Sequence, residues 1–184
     1  MWEHAVSLLG DMKRVLVTPN DVSYNSAISS CADVGEWRLA LQLLEQLPGE
    51  LVRTDAISFS AAITSCGQAG QWQRALVLLA SMLQAAVEPN QLCLSAGIFA
   101  AANGCEWEVA LALLQNILET RMSPDGVSWS TAISACEKSS RWQLASYLLV
   151  SMPNADISPD EYGFNSAIAA CERVCRERAS SFDC

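Results

Sequence analysis

Histidine is nearly absent from this 184-residue chain, which has only His4. Ser–His–Asp, Cys–His and multi-histidine metal chemistry are therefore almost excluded. Positive charge is also scarce. Eleven Lys and Arg stand against 20 Asp and Glu, a net charge of −9, which argues against holding nucleic acid by bulk electrostatics. No apolar run reaches the ~18 residues a membrane span needs, and no charged-then-apolar leader opens the chain. Neither a membrane partner nor a signal peptide is expected. Carboxylates are scattered and form no metal-nuclease cluster, so no catalysis is expected within these residues. Charged residues make up only 17% and hydrophobic ones 51%. That is no disordered composition, and it suffices for the core of one unit or two small ones.

What is present is a period. Trp2, Trp37, Trp72, Trp107 and Trp142 are each 35 residues apart, and a fixed period is the signature of a repeat architecture. Ile28, Ile63, Ile98, Ile133 and Ile168 form a second column on that period. Asn25, Ser60, Ser95, Ser130 and Asn165 form a third, and Asn20, Asp55, Asn90, Asp125 and Asp160 a fourth. Starting the unit at Asp21 gives one array over 1–184. It has full repeats at 21–55, 56–90, 91–125 and 126–160, with half repeats at 1–20 and 161–184. Neither end looks like the polar cap a solenoid needs, so the expectation is a stretch of a longer array.

Each unit reads as two helices. Tyr24, Ile28 and Cys31 follow i, i+4, i+7 spacing on one face, and Ala27 and Cys31 are small enough for a neighbouring helix to approach. After a polar break at 33–36, Trp37 opens a second helix with the apolar stripe Ala40, Leu41, Leu43 and Leu44. The pattern recurs from Trp72, Trp107 and Trp142. Pro19, Pro89, Pro124 and Pro159 precede unit boundaries and are expected to stop the second helix and set an extended turn. Pro48 and Pro153 should end theirs earlier. The fold class predicted is an all-α solenoid of stacked helix-turn-helix repeats. The Ile column should be core, and the Trp column should pack in the core or between repeats. Cys31, Cys66, Cys136 and Cys171 share the eleventh position and read as small buried hydrophobes, with no metal and no cofactor expected. Their unpaired number suits a reducing compartment.

The 35-residue unit, Val22-Ser23-Tyr24-Asn25-Ser26-Ala27-Ile28 at its start and Pro-Asp or Pro-Asn at its end resemble the pentatricopeptide repeat. The resemblance covers nearly the whole chain. Ala132-Ile133-Ser134-Ala135-Cys136-Glu137-Lys138 also resembles the pentatricopeptide proteins of dinoflagellate algae. The family resemblance implies a right-handed solenoid that binds single-stranded RNA, one base per repeat. It implies base selection by the fifth and last residues of each unit: Asn25 with Asp55, Ser60 with Asn90, Ser95 with Asp125, Ser130 with Asp160, and Asn165.

An ionised aspartate only accepts hydrogen bonds and suits the ring N–H of guanine or uracil; asparagine donates and accepts and suits adenine or cytosine. The resemblance adds that a small hydroxyl at the fifth position goes with purines and asparagine with pyrimidines. The target implied is 5′-UAGG-3′ and then a pyrimidine. By the same resemblance the second residues Val22, Ile57, Leu92, Val127 and Tyr162 sandwich the bases. The thirteenth position meets phosphate, which falls here on Lys138 and Arg173, while Asp33, Gln68 and Asn103 supply no cation. The editing deaminase of some members needs His-x-Glu and Cys-x-x-Cys, and neither occurs, so any catalysis would come from a protein partner. A mitochondrial or chloroplast location, with RNA processing, stabilisation or editing, is likewise what the resemblance implies. The acidic balance keeps a second class open, a protein-interaction scaffold holding a peptide on a concave face.

Overall fold

The computed structural model describes residues 2–50, 52–120, 122 and 125–180. Among these residues the regular elements are all helical. The α-helices are α1 (Trp2–Arg14), α2 (Asp21–Ala32), α3 (Trp37–Gln46), α4 (Ala56–Gln68), α5 (Trp72–Gln84), α6 (Gln91–Asn103), α7 (Trp107–Glu119), α8 (Gly126–Lys138), α9 (Trp142–Ser151) and α10 (Glu161–Ser180). First helices α2, α4, α6, α8 and α10, and second helices α1, α3, α5, α7 and α9, each begin 35 residues after the last. The sequence period is thus the period of the helical hairpin.

The chain packs as two compact bodies, residues 1–100 and 101–184, divided inside α6. In the first body α2 packs on α1, α3 and α4, and α4 packs on α5. Its core holds Tyr24, Ile28, Leu43, Leu47, Phe59, Ile63 and Met82. Each such apolar side chain taken from water contributes about 1.5–3 kcal/mol. Small residues bring the first helices close: Ala27, Cys31, Ala62 and Cys66 are buried. A Cβ built on Gly67 would lie 3.0 Å from Ala100 Cα. In the second body α8 packs on α7, α9 and α10, around Leu114, Ile117, Trp129, Ile133, Cys136, Leu148 and Met152.

Several expectations change. The isoleucine column is core at Ile28, Ile63, Ile98 and Ile133, but Ile168 is 64% exposed. Its hairpin has no second helix among the described residues to cover it. Prolines do not stop the second helices. α1 and α5 end at Arg14 and Gln84, five residues before Pro19 and Pro89. Leu16 (φ 60°) and Ala86 (φ 52°) turn the chain through the left-handed region instead, which ends a helix. The prolines come later, in the extended entry to the next hairpin; Pro124 lies outside the described residues. Pro48 and Pro153 do shorten their helices. α3 and α9 have 10 residues against 13 in α5 and α7, and each runs into a 3-10 turn, Pro48–Glu50 or Met152–Ala155.

The tryptophans that open the second helices are half buried, and Trp142 is exposed. Arg74 of the next hairpin lies 4.2 Å from the Trp37 ring and Arg141 lies 5.0 Å from that of Trp107, so this column packs between repeats through cation–π contact. Of the cysteine column, Cys31, Cys66 and Cys136 are buried free thiols, and Cys171 is exposed. Burial pushes the Cys66 and Cys136 thiols up to about 11, which keeps them protonated and unreactive.

Candidate nucleic-acid interface

The last residue of each unit is the N-cap of the next first helix. Its side-chain oxygen accepts the backbone N–H three residues on. The pairs are Asn20 with Ser23 (2.9 Å), Asp55 with Ser58 (2.8 Å), Asn90 with Cys93 (3.1 Å), Asp125 with Ser128 (2.8 Å) and Asp160 with Gly163 (2.7 Å). Asn and Asp satisfy this orphan donor well, which accounts for the column in structural terms alone. Capping also fixes where the side chain stands: at the head of one first helix, and for Asp55 and Asp160 beside the fifth residue of the helix before it.

That neighbourhood is realised as hydrogen bonds at two boundaries. In the first body the Asn25 amide donates to both carboxylate oxygens of Asp55, at 3.3 and 3.2 Å. In the second, the Ser130 hydroxyl donates to Asp160 Oδ1 at 2.9 Å. Ser60 and Asn90 are not so joined among the described residues, since Ser60 donates to the Ile57 carbonyl of its own helix at 2.9 Å. Ser95 belongs to the first body and Asp125 to the second. The fifth residues differ in access. Asn165 is exposed and Asn25 half buried, whereas Ser60 and Ser130 retain only 5% and 2% of their surface. Burial raises the Asp55 carboxyl, but hydrogen bonds from the Ser58 N–H and hydroxyl, the Asn25 amide and the Ile57 N–H outweigh it and set the group below its ordinary value. It is a carboxylate, an acceptor only, at neutral pH.

The second residues break the rule that large apolar side chains are buried. Val22, Ile57 and Leu92 in the first body, and Val127 and Tyr162 in the second, are each between 55% and 69% exposed. Scattered exposed apolar residues need no explanation, but recurrence at one repeat position does. In the first body Val22, Asn25, Asp33 and Ile57, with Ser26 and Ser29, line one open groove of about 490 Å³. Second, fifth and thirteenth positions thus share one surface there. A groove of about 550 Å³ in the second body runs between α7 and α9, past Leu111, Leu118, Trp129 and Tyr147, and touches none of the polar columns.

The two cations at the thirteenth position are held by their own chain. Lys138 Nζ donates to the Ala102 carbonyl (3.3 Å) and to Asn103 Oδ1 (3.1 Å). Arg173 donates to the Lys138 carbonyl (3.2 Å) and pairs with Glu137 (3.1 Å). Each ties one first helix to its predecessor. Sequence reasoning placed these residues and missed their partners, because a contact 35 residues away leaves no local mark. It also missed Ser58, whose hydroxyl reaches both Asn25 Oδ1 and Asp55 Oδ1. The signal available was a small residue recurring at the third position: Ser23, Ser58, Cys93, Ser128 and Gly163. Among the described residues no cluster of His, Cys, Asp and Glu could hold a metal ion, and no helix is long and apolar enough to cross a membrane.

A family model described as the PPR repeat matches residues 22–50, 57–86 and 127–157. The chain belongs to the pentatricopeptide-repeat family. Three solved structures, of two proteins, share its fold. The crystal structure of the maize pentatricopeptide repeat protein PPR10 superposes with a TM-score of 0.68 at 21% identity, over 97% of this chain and 27% of that one. The pentatricopeptide-repeat domain of Arabidopsis thaliana protein-only RNase P 1, in complex with tRNA, gives 0.69 at 15% identity, over 83% and 81%. PPR10 in complex with an 18-nt psaJ RNA element gives 0.53 at 14% identity, over 98% and 38%. This pentatricopeptide-repeat chain thus spans about a quarter of the length of the maize protein in the first of these. No curated protein matches it significantly by sequence. The repeat at 91–125 lies outside the family-model matches, although its helices keep the 35-residue phase.

Proposed function

We propose that this pentatricopeptide-repeat chain binds single-stranded RNA and selects bases with its fifth and last columns. The observation that carries the reading is the meeting of those columns across a repeat boundary, Asn25 on Asp55 and Ser130 on Asp160, in a fold whose second-position apolar side chains stand in solvent. An apolar side chain held beside a fixed donor–acceptor pair is what an unstacked base requires, a flat contact for its face and hydrogen bonds for its edge. The RNA-bound relatives of this fold support the same reading. By the chemistry of the pairs, Asn25 with Asp55 takes uracil, Ser60 with Asn90 adenine, and Ser95 with Asp125 and Ser130 with Asp160 guanine. The target is 5′-UAGG-3′ followed by the pyrimidine of Asn165. By family resemblance the chain serves processing, stabilisation or editing of organellar transcripts, with catalysis supplied by a partner.

The test is a fluorescence-anisotropy titration with 5′-UAGGU-3′ and a scrambled RNA at low and moderate salt. Preference for UAGGU is expected. Equal weak binding that vanishes with salt would reduce the interaction to non-specific electrostatics. The net charge of −9 and the engagement of Lys138 and Arg173 within the chain favour the other class, a peptide-binding scaffold. Absence of RNA binding at either salt would leave that scaffold or an array too short to bind by itself, which a partner pull-down separates.

A further inference from the structure

We propose that the third residue of the following repeat is a positioning residue for base selection, and that Ser58 holds the Asn25–Asp55 pair in the geometry that reads a base. The inference rests on the base-selecting role just proposed for that pair.

Ser58 is 1% exposed, at the third position of α4. Its backbone N–H caps onto Asp55, as at every boundary. Its hydroxyl does something further: it lies within hydrogen-bond reach of Asn25 Oδ1, across the repeat boundary, and of Asp55 Oδ1 at 2.9 Å. One hydroxyl proton is thus shared between two acceptors. The Asn25 amide then has two anchors, its NH2 on the Asp55 carboxylate and its oxygen on Ser58. Two anchors fix the plane of the amide; one leaves it free to swing about the contact to Asp55. A base edge recognises donors and acceptors in a plane, so the fixed plane decides the selectivity.

Two further boundaries, with other third residues, lack this arrangement. Cys93 turns its thiol to the Ala56 carbonyl, at 3.3 Å, and Ser60 and Asn90 are not joined among the described residues. Gly163 has no side chain, and Ser130 bonds Asp160 directly. A Cβ on Gly163 would come within 3.2 Å of Asp160 Oδ1 and 3.4 Å of Ser130 Oγ, inside the space the short serine–aspartate pair uses. Asn25 thus meets a bridging serine and Ser130 a glycine, whereas Ser60 is followed by Cys93 and Ser95 by Ser128.

The experiment uses the full chain with Ser58→Ala and Ser58→Thr. Anisotropy compares 5′-UAGGU-3′ with 5′-CAGGU-3′, since cytosine lacks the ring N–H that Asp55 would accept. NMR follows the Asn25 side-chain amide without RNA. The expected result is a preference for uracil in the unmodified chain that falls about fivefold in Ser58→Ala, the size of one ordinary hydrogen bond. Ser58→Thr restores it, and UAGGU against UAGUU discrimination, read at Ser130 and Asp160, stays unchanged. The Asn25 amide signals shift and exchange faster with solvent in Ser58→Ala. A merely structural capping residue would lower stability and leave the uracil-to-cytosine ratio alone. Full preference retained in Ser58→Ala overturns this proposal and leaves base reading intact. No preference in the unmodified chain overturns base reading and this proposal together.

Discussion

At the scale of the residue, the Asp55 carboxylate accepts the Ser58 N–H at 2.8 Å and the Asn25 amide at 3.2 and 3.3 Å, so one substitution disturbs a cap and a pair together. Asp55→Ala should cost about 1–2 kcal/mol in urea unfolding at pH 7. Loss of the exposed cap Asn20 should cost about 1 kcal/mol or less. The pH dependence has a definite sign. The folded-state value of Asp55 lies below its ordinary one, so the folded form resists protonation. The stabilisation is fully present above the ordinary carboxylate range of about 4 and is lost as pH falls through the lowered value. Urea midpoints of the native chain and of Asp55→Asn should therefore converge between pH 7 and pH 3, and a gap that stays constant would contradict it. Asn and Asp at the unit end were legible in the sequence as a column. Ser58 was not, because its partner Asn25 is 33 residues away.

At the scale of the element, the turn between the two helices of a hairpin passes through the left-handed region at one repeat position. Gly35 (φ 73°) and Gly70 (φ 68°) occupy it twice, and then Cys105 (φ 60°) and Ser140 (φ 56°). A side chain there costs roughly 1–2 kcal/mol relative to the ordinary helical region, and glycine removes that cost. Cys105 is exposed, so Cys105→Gly should raise thermal stability, by about 1 kcal/mol at the midpoint. The opposite holds at Gly67, where an added methyl meets backbone of α6 at 3.0 Å. Gly67→Ala should destabilise by about 1–3 kcal/mol through overpacking, measured by the same melts. Starts of the second helices were legible to the residue, because each opens at the tryptophan column. Helix ends were not. The sequence offered proline as the stop, whereas the chain turns earlier, at left-handed Leu16 and Ala86, residue types that carry no such signal.

At the scale of the whole molecule, charge decides what kind of binding is open. Single-stranded nucleic acid gives a salt slope of about −0.7 per phosphate neutralised. Only Lys138 and Arg173 carry cations at the thirteenth position, and both are engaged within the chain. The slope of log affinity against log salt should be no steeper than about −1.4. A much steeper slope would show that other cations carry the contact. Base identity should follow the columns instead: Ser130→Asn should move the preference at the fourth base from guanine to uracil, read by anisotropy with UAGGU and UAGUU.

The sequence by itself determined the period, the two helices in each unit, the starting residues of the second helices and the columns of core and polar positions. These are local or repetitive properties: a helical face needs only the spacing of apolar residues along one segment, and a repeat declares itself by recurrence. Only the tertiary structure decided which polar residues meet. Whether Asn25 touches Asp55, whether Ser60 turns to its own helix, and whether Lys138 stands free or holds Asn103 depend on side chains a whole repeat apart in sequence. Packing of successive helices brings those side chains within about 3 Å, the range where a hydrogen bond forms or fails.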